Sequence, residues 1–446
     1  MKTNSKLTRR DFLKVSAIGA AGVAGTVLVP GALSAAPASA KKTAASDTVT
    51  MGFIGLGQQA TYLLNGFLKL PGTRVVAGCD VFSVKRERFD KTVKDYYASV
   101  SQKVDVKTYE RYQDLLARED IDAVVIAVPD FSHAYIAIAA CRAGKDVYLE
   151  KPLTYTIYEG QQLCKAVREN DRILQVGSQQ RSSWEFIHAA NLVRDGKLGR
   201  VSFVRVQVGG PPKPYDLPQQ ELPAGLNWDL WLGPLATRIH YNERLCQTVS
   251  IDPPVRERGW GAWRDFKETG GGFTTDWGAH MFDIAQWCIG KDGSGPVMII
   301  PPGAENAGGL TYVYDNGITM VQDKLPNNDN GVAIFGENGW IQVHRGKFFC
   351  SDPAFEPAAD ARRVDAGLAY ETNIPHQAAF IESVRSRIDP NCPVEVGHST
   401  CTVCNLGNIA YELKRPLKWN PITQKFVNDP EASKHLSYQY YDGYTL

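Results

Sequence analysis

Three residues of this chain carry groups that could act together on a hydroxyl or carbonyl oxygen: Lys151, Asp276 and His280. Lys151 follows an apolar run typical of a parallel strand, and ligands bind at the carboxyl ends of such strands. A lysine there can donate a hydrogen bond to a substrate oxygen and stabilise negative charge that develops on it. Asp276 and His280 are four residues apart, which predicts a shared face of a helix that begins near Thr275. Histidine is the usual proton acceptor near neutral pH, and a neighbouring carboxylate can orient it.

Each of these residues also has a purely structural interpretation. A lysine after a strand is commonly a surface residue, an aspartate can cap a helix, and a histidine on an apolar helix often packs in the core. On the same predicted helix, Asp283 and Trp287 extend the face of His280, while Met281 and Ile284 lie on a stripe that faces the core. The residue types alone therefore leave the structural and the chemical interpretations open.

A glycine-rich turn, Gly55-Leu56-Gly57-Gln58-Gln59-Ala60, lies between a predicted strand and a predicted helix. The pattern matches the dinucleotide fingerprint, whose glycines permit a tight turn and a close approach of the backbone to a pyrophosphate at the helix N-terminus. Asp80 ends the next predicted strand, where a carboxylate accepts hydrogen bonds from the adenosine ribose and repels a 2′-phosphate. The sequence therefore favours NAD over NADP, although Arg86 and Arg88 lie nearby. A turn residue at a strand end is the structural alternative for Asp80.

Apolar runs alternate with helical patterns through the first half of the chain. Strands are predicted at 49–54, 74–80, 106–109, 123–128, 146–150 and 173–176, and helices at 60–70, 83–97, 111–118, 132–143 and 157–170. Strands separated by helices indicate βαβ units and a parallel sheet, and the continuous apolar runs are typical of strands buried on both faces. This half is therefore expected to form an α/β domain.

Three further motifs complete the pattern: Val128-Pro129-Asp130 with His133, Glu150-Lys151-Pro152, and Gly270-Gly271-Gly272 followed by Asp276-x-x-x-His280-x-x-Asp283. Together with the glycine-rich turn, they resemble the Gfo/Idh/MocA family, which contains glucose-fructose oxidoreductase and inositol dehydrogenase. The resemblance runs from Thr48 to about Lys414. It implies an N-terminal α/β Rossmann domain and a C-terminal α+β domain with a largely antiparallel open sheet.

The resemblance also implies roles for particular residues. Lys151, Asp276 and His280 would be the catalytic group of a hydride transfer to nicotinamide, in which His280 takes the hydroxyl proton. The cofactor site is assigned to Gly55, Gly57, Gln58, Gln59, Asp80, Val128, Pro129, His133 and Glu150. The expected substrate contacts are Arg181, Trp263 and Asp283, and no metal ligands are expected.

Later in the chain, strand-like runs are joined by short turns such as Asp315-Asn316-Gly317 and Glu337-Asn338-Gly339, which predict antiparallel hairpins. In the family, the free face of the second sheet often forms subunit contacts, so the resemblance implies a dimer or tetramer. Trp228 and Trp263 belong to an aromatic-rich irregular region between the two halves. Aromatic faces suit carbohydrates, although packing of a long loop explains each tryptophan equally well.

The balanced charge of the whole chain, +1, conceals an asymmetry. Residues 1–40 hold five basic groups and one acidic group, which leaves 44 basic and 47 acidic residues in the remainder. No basic block follows, which argues against a nucleic-acid partner. Hydrophobic residues make up 43% and charged residues 22%, so disordered and low-complexity classes are excluded.

The basic N-terminal segment has the order of an export signal. Arg9-Arg10 precedes an Ala- and Gly-rich stretch, and Ala38-Ser39-Ala40 follows as a cleavage site. The paired arginines resemble a twin-arginine signal, so a periplasmic or otherwise exported protein is expected. A retained membrane anchor is the alternative, but the glycines and Pro30 of the stretch disfavour a stable transmembrane helix.

These patterns divide the chain into a signal at 1–40, an NAD-binding domain at 41–176, a substrate-binding and oligomerisation domain at 177–414, and an extension at 415–446. Tyrosines in the extension are expected to clamp a neighbouring subunit. Nine scattered cysteines do not form a disulfide framework. Cys401-x-x-Cys404, the one close pair, is interpreted as part of a buried helix face.

Three functions remain from the sequence. The resemblance implies an NAD-dependent oxidoreductase that acts on a sugar, glycoside or polyol hydroxyl and holds its cofactor tightly, because free NAD is scarce outside the cytoplasm. The alternative is a redox-neutral NAD-dependent glycosidase of the same fold. Such family members characteristically have Thr-His-Gly in place of the segment around Asp276 and vary at the motif lysine, so Lys151 and Asp276 favour the oxidoreductase. The third is a non-catalytic sugar-binding protein.

Overall fold

The computed structural model of the chain describes residues 48–358 and 374–446. The expected export signal at 1–40 lies outside these ranges. Within them, no helix combines the length and the apolar character that crossing a bilayer requires. In the same part of the chain, no group of three or more His, Cys, Asp and Glu side chains is arranged to hold a metal ion. All nine cysteines are free thiols.

The first half of the chain forms a six-stranded sheet in which every neighbouring pair is parallel. Its strands are β1 (Val49–Ile54), β2 (Thr73–Cys79), β3 (Lys107–Tyr109), β4 (Ala123–Ile126), β5 (Asp146–Leu149) and β6 (Leu174–Val176). The order is β3-β2-β1-β4-β5-β6, so the direction of strand addition reverses between β1 and β4. A crevice opens at the carboxyl ends of the strands at such a switch point.

Five helices connect these strands: α1 (Gln58–Phe67), α2 (Ser83–Ser99), α3 (Tyr112–Leu116), α4 (Asp130–Arg142) and α5 (Ile157–Glu169). Leu63 and Phe89, from α1 and α2, belong to one buried apolar cluster. Leu115, Ile136 and Leu163, from the other three helices, belong to a second. Helices therefore cover both faces of the sheet, which explains why β4 and β5 are buried along their whole length. The predicted Rossmann domain is confirmed.

The second half forms a nine-stranded sheet of order β15-β14-β13-β7-β12-β11-β10-β16-β17, in which only the β7–β12 pair is parallel. Its strands are β7 (Val201–Gln207), β10 (Met298–Ile300), β11 (Thr311–Val313), β12 (Thr319–Gln322), β13 (Gly331–Gly336), β14 (Gly339–His344), β15 (Lys347–Cys350), β16 (Leu417–Asn420) and β17 (Lys425–Phe426). A separate hairpin joins β8 (Ser250–Ile251) to β9 (Pro254–Val255). The predicted largely antiparallel sheet is confirmed. Because β16 and β17 belong to it, the first part of the expected extension at 415–446 is part of the sheet.

The helices of the second half are α6 (Trp184–Arg194), α7 (Trp228–Leu232), α8 (Gly272–Asp276), α9 (Gly278–Cys288), α10 (Ile374–Ser386), α11 (Val394–Leu413) and α12 (Pro430–Ser433). Phe186, Phe282 and Val403, from α6, α9 and α11, pack with Tyr312 of the sheet in one core. Helix α11 also packs against α5 of the first domain, so this helix contacts both domains.

Cys401 and Cys404 lie on α11, and both side chains are buried. The Cys401 thiol donates to the carbonyl of Thr154 at 2.9 Å, at the seam between the domains. Cys404 packs in the core of the second domain. Burial raises the pKa of the Cys401 thiol to about 12. The pair is therefore a buried helix face with protonated thiols, as the sequence indicated.

Arg181 and Asp283, two of the expected substrate contacts, are instead paired in the interior. Arg181 donates to both carboxylate oxygens of Asp283 at 2.7 and 2.8 Å and also to both oxygens of Asp292. The side chains of Arg181 and Asp283 are each 1% exposed. Thr400 donates to Asp283 at 3.0 Å, and the guanidinium lies 5.0 Å over the ring of Trp287. Because α9 is buried on nearly all sides, a polar residue at 283 must be paired internally.

We predict that Asp283→Asn lowers the free energy of unfolding by about 3 kcal/mol, because it leaves the buried Arg181 with one carboxylate partner instead of two. Denaturation by urea measures this loss. The matched control is Asp95→Asn, which removes an exposed ion pair with Lys91 and should cost less than about 1 kcal/mol. Equal losses in the two variants would contradict a structural role for the buried pair.

Candidate active site

A cleft of about 840 Å³ opens at the carboxyl ends of the first sheet. Its wall on the side of the first domain includes Gly55, Gly57, Gln58, Gln59, Asp80, Val128, Pro129, Glu150 and Lys151. Residues of the second half complete it, among them Trp263, Asp276 and His280. The cleft therefore brings together all three residues predicted to be catalytic and eight of the nine predicted to bind the cofactor.

The glycine-rich turn has the geometry that a phosphate-binding turn needs. Gly55 has a φ of +81°, and a Cβ there would lie 2.6 Å from the carbonyl oxygen of Ala127. A Cβ on Gly57 would meet nothing within 4 Å, so the backbone at this position faces open space above the start of α1. Gln58 Oε1 lines the same wall, is buried, and has no hydrogen-bond partner among the described residues. The two glycines fit a dinucleotide whose pyrophosphate meets the helix N-terminus, and Gln58 Oε1 can accept a hydrogen bond from a hydroxyl of the same ligand.

Asp80 is held at the cleft by two backbone hydrogen bonds. Leu56 N donates to its Oδ2 at 2.7 Å, and Phe82 N donates to its Oδ1 at 2.9 Å. Each carboxylate oxygen can accept a further hydrogen bond, as ribose hydroxyls would provide. Arg86 donates to the carbonyl of Asp80, and Arg88 donates to the carbonyl of Leu56 at 2.6 Å each. The two arginines are thus engaged by backbone carbonyls, Arg86 at the end of β2 and Arg88 in the turn, which favours NAD over NADP.

Residues 243–265, which we call the strap, cross from the second half of the chain over the glycine-rich turn. Glu257 of the strap is 7% exposed and pairs with Arg88 at 2.7 Å and with Lys85 at 3.5 Å. Burial alone would raise the pKa of Glu257, but the two cations outweigh it and hold the pKa below its usual value. Trp260 lies 6.4 Å from the ring of Tyr62 on α1. The strap therefore forms a wall of which the sequence patterns predicted only Trp263 as a site residue.

Glu150 connects the glycine-rich turn to the end of β5. Its Oε1 accepts from Gln59 at 2.8 Å and from Gln179 at 2.7 Å, and its Oε2 accepts from Lys151 N at 3.2 Å. A Cβ on Gly177 would lie 2.7 Å from Glu150 Oε1, so glycine is needed for this close approach. Burial raises the pKa of Glu150, while these hydrogen bonds and the Lys151 charge oppose the shift. Glu150 thus positions the turn relative to Lys151.

Lys151 and Asp276 form the ion pair at the reactive end of the cleft. Lys151 Nζ donates to Asp276 Oδ1 at 2.7 Å and to its carbonyl at 3.1 Å. Arg264 Nε donates to the same Oδ1 at 3.3 Å and stacks on Trp263 at 4.1 Å. Burial alone would raise the pKa of Asp276, but Lys151 and Arg264 outweigh it and keep the pKa below its usual value. Asp276 is therefore an ionised acceptor that holds both cations at the cleft.

His280 faces the same cleft and is 5% exposed. Burial, reinforced by the charges of Arg345 and Lys151, holds the pKa of His280 well below its usual value. Its Nδ1 is buried and has no hydrogen-bond partner in the part of the chain that the structure describes. A neutral imidazole in this position can accept a proton.

The predicted single helix carrying Asp276 and His280 is wrong. Asp276 ends α8, and α9 begins at Gly278 beyond Trp277. The interruption is short, because Trp277 keeps right-handed helical dihedrals, with φ −85° and ψ −27°. Both side chains border the cleft, where Lys151 binds Asp276.

Sequence analysis assigned no role to several polar residues of the cleft, among them Arg345 and Asp130. Arg345 occupies the two-residue turn between β14 and β15, lies 4.5 Å over the ring of Trp277, and donates to Gln180 at 3.0 Å. The following Gly346, with a φ of +69°, is the signal that would have indicated this turn. Asp130 begins α4 and lines the cleft, and burial raises its pKa to about 8.

Three predicted site residues lie outside the cleft. Arg181 and Asp283 form the buried pair described above. His133, 1% exposed, has ring nitrogens 2.7 Å from the carbonyl of Pro152 and 2.9 Å from that of Val128. Burial lowers the pKa of His133 to about 4. His133 therefore lies between the backbone segments that carry Pro152 and Val128, and its predicted contact with the cofactor stays a prediction.

Family models match both parts of the chain. Residues 49–178 match an oxidoreductase family model with an NAD-binding Rossmann fold, GFO_IDH_MocA. Residues 213–445 match GFO_IDH_MocA_C2, the C-terminal alpha/beta domain of an oxidoreductase family.

Similar proteins carry sugar-related names. A glycosyl hydrolase family 109 protein of Shewanella pealeana is 32% identical over 209 residues, 44% of each chain. An inositol 2-dehydrogenase of Salmonella typhimurium is 29% identical over 155 residues, 34% of this chain and 44% of that protein. The chain thus spans about 44% of the length of these curated relatives.

Solved structures share the fold at low sequence identity. The WlbA dehydrogenase of Bordetella pertussis, in complex with NADH and UDP-GlcNAcA, is 17% identical with a TM-score of 0.58, covering 84% of this chain and 98% of that one. An aldose-aldose oxidoreductase of Caulobacter crescentus is 19% identical with a TM-score of 0.54, covering 83% and 99%. The two family models together cover most of the chain, and the cleft has the matching turn and strand ends. The protein therefore belongs to the Gfo/Idh/MocA family of oxidoreductases, with an NAD-binding Rossmann domain.

Proposed function

We propose that this protein is an NAD-dependent oxidoreductase that acts on a hydroxyl group of a sugar, glycoside or polyol and keeps its cofactor tightly bound. The observation that carries the proposal is the grouping of Lys151, Asp276 and a neutral His280 around one cleft with the glycine-rich turn. A proton acceptor and a hydrogen-bond donor that reach the same substrate oxygen are the groups that alcohol oxidation requires.

In the proposed reaction, His280, Lys151 and Asp276 each have a separate role. His280 accepts the hydroxyl proton because burial and two nearby cations keep its ring neutral. Lys151 donates a hydrogen bond to the same oxygen and stabilises the negative charge that develops there. Asp276 holds Lys151 Nζ in place at 2.7 Å. When bound, NAD supplies the hydride acceptor, and the protein supplies orientation and electrostatics.

The lining of the cleft supports a carbohydrate or polyol. Trp260, Trp263 and Trp277 border it, and aromatic faces suit the apolar C–H faces of sugars. Arg264 and Arg345 add donors that hydroxyl oxygens can accept from. The names of an inositol 2-dehydrogenase relative and of an aldose-aldose oxidoreductase of similar fold support the same substrate class.

The strap supports tight retention of the cofactor. It crosses the glycine-rich turn and is fixed there by the ion pairs of Glu257 with Arg88 and Lys85. A cofactor bound between the turn and the strap can leave only after the partly desolvated ion pairs of Glu257 break, which slows its release. An enzyme that retains its cofactor regenerates it with a second substrate in a ping-pong cycle.

We predict that His280→Ala and Lys151→Ala each lower the rate constant of cofactor reduction by about 10²- to 10⁴-fold while NAD stays bound, because these residues act on the substrate oxygen. Single-turnover reduction of the bound cofactor, followed at 340 nm with a sugar and polyol panel, measures this rate constant. Mass spectrometry of nucleotide released on denaturation measures the bound cofactor. His188→Ala, which removes a histidine outside the cleft, is the matched control. A near-normal rate in His280→Ala would refute the base assignment.

The lowered pKa of His280 predicts the acid limb of the pH profile, that is, the pH at which kcat/KM declines on the acid side. The neutral ring is the active form, so a lowered pKa keeps kcat/KM constant as the pH falls through 6.5, the usual histidine value, with a decline only at lower pH. Arg345→Met removes a nearby positive charge, so the pKa of His280 rises and the limb moves to higher pH. Profiles of kcat/KM for both proteins measure the shift. An unmoved limb in the variant would contradict the assignment.

A redox-neutral NAD-dependent glycosidase is the second candidate, favoured by the glycosyl hydrolase family 109 relative. The two functions differ in their products. The oxidoreductase is expected to release no nitrophenol from nitrophenyl glycosides, since the proposed reaction oxidises a hydroxyl group and does not cleave the glycosidic bond. Release of nitrophenol without net NADH, measured at 405 nm, would reverse the ranking. The same assay with the His280→Ala variant controls for spontaneous hydrolysis.

We further propose that the chain is exported through the twin-arginine route and assembles as a dimer or tetramer. Arg9-Arg10 and the small residues at 38–40 support export. On the face of the second sheet opposite its apolar core, Trp340 is 37% exposed and Phe349 is 42% exposed, which supports subunit contacts there. Cell fractionation tests the first proposal, and light scattering of the purified protein tests the second.

A further inference from the structure

The carboxyl-terminal tail, residues 437–446, is anchored along its own chain. Tyr441 N donates to the carbonyl of Pro234 at 2.9 Å. The hydroxyl of Tyr440 donates to the buried Glu159 at 3.2 Å. Sequence analysis expected this segment to clamp a neighbouring subunit, whereas these contacts direct it across the seam between the two domains of one chain.

The end of the tail places Tyr444 in the wall of the cleft. The ring of Tyr444 lies 4.9 Å from that of Tyr135, and Tyr135 lies 6.3 Å from Tyr112 in an edge-on arrangement. All three rings line the same cavity as Asp80. Leu446 packs against the apolar cluster beneath α3 and α4, which fixes the tail on the far side of Tyr444.

The topology of the first sheet identifies which end of the cleft these rings occupy. Asp80 follows β2, and Tyr112 follows β3, the edge strand beside it. Lys151 follows β5, three strands away from β2 on the other side, or roughly 14 Å at the usual strand spacing. Because a carboxylate at Asp80 binds the adenosine ribose and the nicotinamide reaches Lys151, the adenine base extends toward β3.

We propose that the tail completes the adenine end of the NAD site and that Tyr444 supplies an aromatic wall for the base. Aromatic side chains stack on nucleobases, and Tyr112 and Tyr135 form the rest of an aromatic enclosure. The wall comes from the third-last residue of the chain, far from the fingerprint that binds the pyrophosphate. The inference goes beyond the proposed reaction, because it concerns only the binding of the adenosine half of the cofactor.

The experiment separates the two halves of the cofactor. Full-length protein freed of bound nucleotide is titrated by calorimetry with NAD, with ADP-ribose, which carries the adenine, and with nicotinamide mononucleotide, which lacks it. The variants are Tyr444→Ala, Tyr444→Phe and a chain that ends at Tyr441. Tyr158→Ala, a partly exposed tyrosine that does not line the cleft, is the matched control.

Tyr444→Ala should raise the Kd for NAD and for ADP-ribose by roughly 5- to 100-fold, the range that stacking on one base provides. Binding of nicotinamide mononucleotide should not change. Tyr444→Phe keeps the ring and should bind all three ligands like the native protein, while the shortened chain should repeat the effect of Tyr444→Ala.

The proposal would be overturned by an unchanged Kd for ADP-ribose in Tyr444→Ala, or by an equal loss for ADP-ribose and nicotinamide mononucleotide. An equal effect of Tyr158→Ala would also overturn it, because the loss would then not depend on the cleft. A failure of the proposed reaction gives a different result, namely intact binding of all three ligands with no oxidation of any sugar or polyol.

Discussion

The ion pair between Lys151 and Asp276 is the contact on which the site depends. The two residues are 125 positions apart and come from different domains, one at the end of β5 and the other at the end of α8. Their side chains are 14% and 18% exposed, so an unpaired charge at either position would be costly. The pair therefore requires α8 to dock against the carboxyl edge of the first sheet, and it fixes Lys151 Nζ beside the cleft.

The same ion pair determines the electrostatics around His280. Asp276 accepts hydrogen bonds from Lys151 and Arg264. Arg345, in the β14–β15 turn, lines the same cleft. These positive charges oppose protonation of the buried imidazole, so the residue that we propose as the proton acceptor stays neutral. In the proposed reaction, positive charge near the substrate oxygen also stabilises the alkoxide that forms as the proton leaves. The same charges therefore keep the imidazole in its proton-accepting form and stabilise the alkoxide, while they make His280 a weaker base.

The sequence could predict the features that depend on local backbone geometry and on one topological rule. The turn at Gly55 needs a positive φ, and Asp80 and Lys151 follow strands of a parallel sheet, whose carboxyl ends share one edge. Pairing over long distances is different. Arg181 could have faced a ligand or a carboxylate, and only the packed helix α9, which brings Asp283 to it, decides between them. Glu257 was missed for the same reason, since its partners lie about 170 residues earlier.

The walls of the cleft also constrain the order in which the site forms. They come from the turn at Gly55, from the strap, from the turn at Arg345 and from Tyr444, so the enclosed cavity exists only when almost the whole described chain has folded. A cofactor that binds this enclosure stabilises the folded state and has little affinity for partly folded chains. If the folded protein is exported, as we propose, the cofactor must be acquired where NAD is abundant. The same enclosing walls would then require that the cofactor binds before export and would make its release past the strap slow.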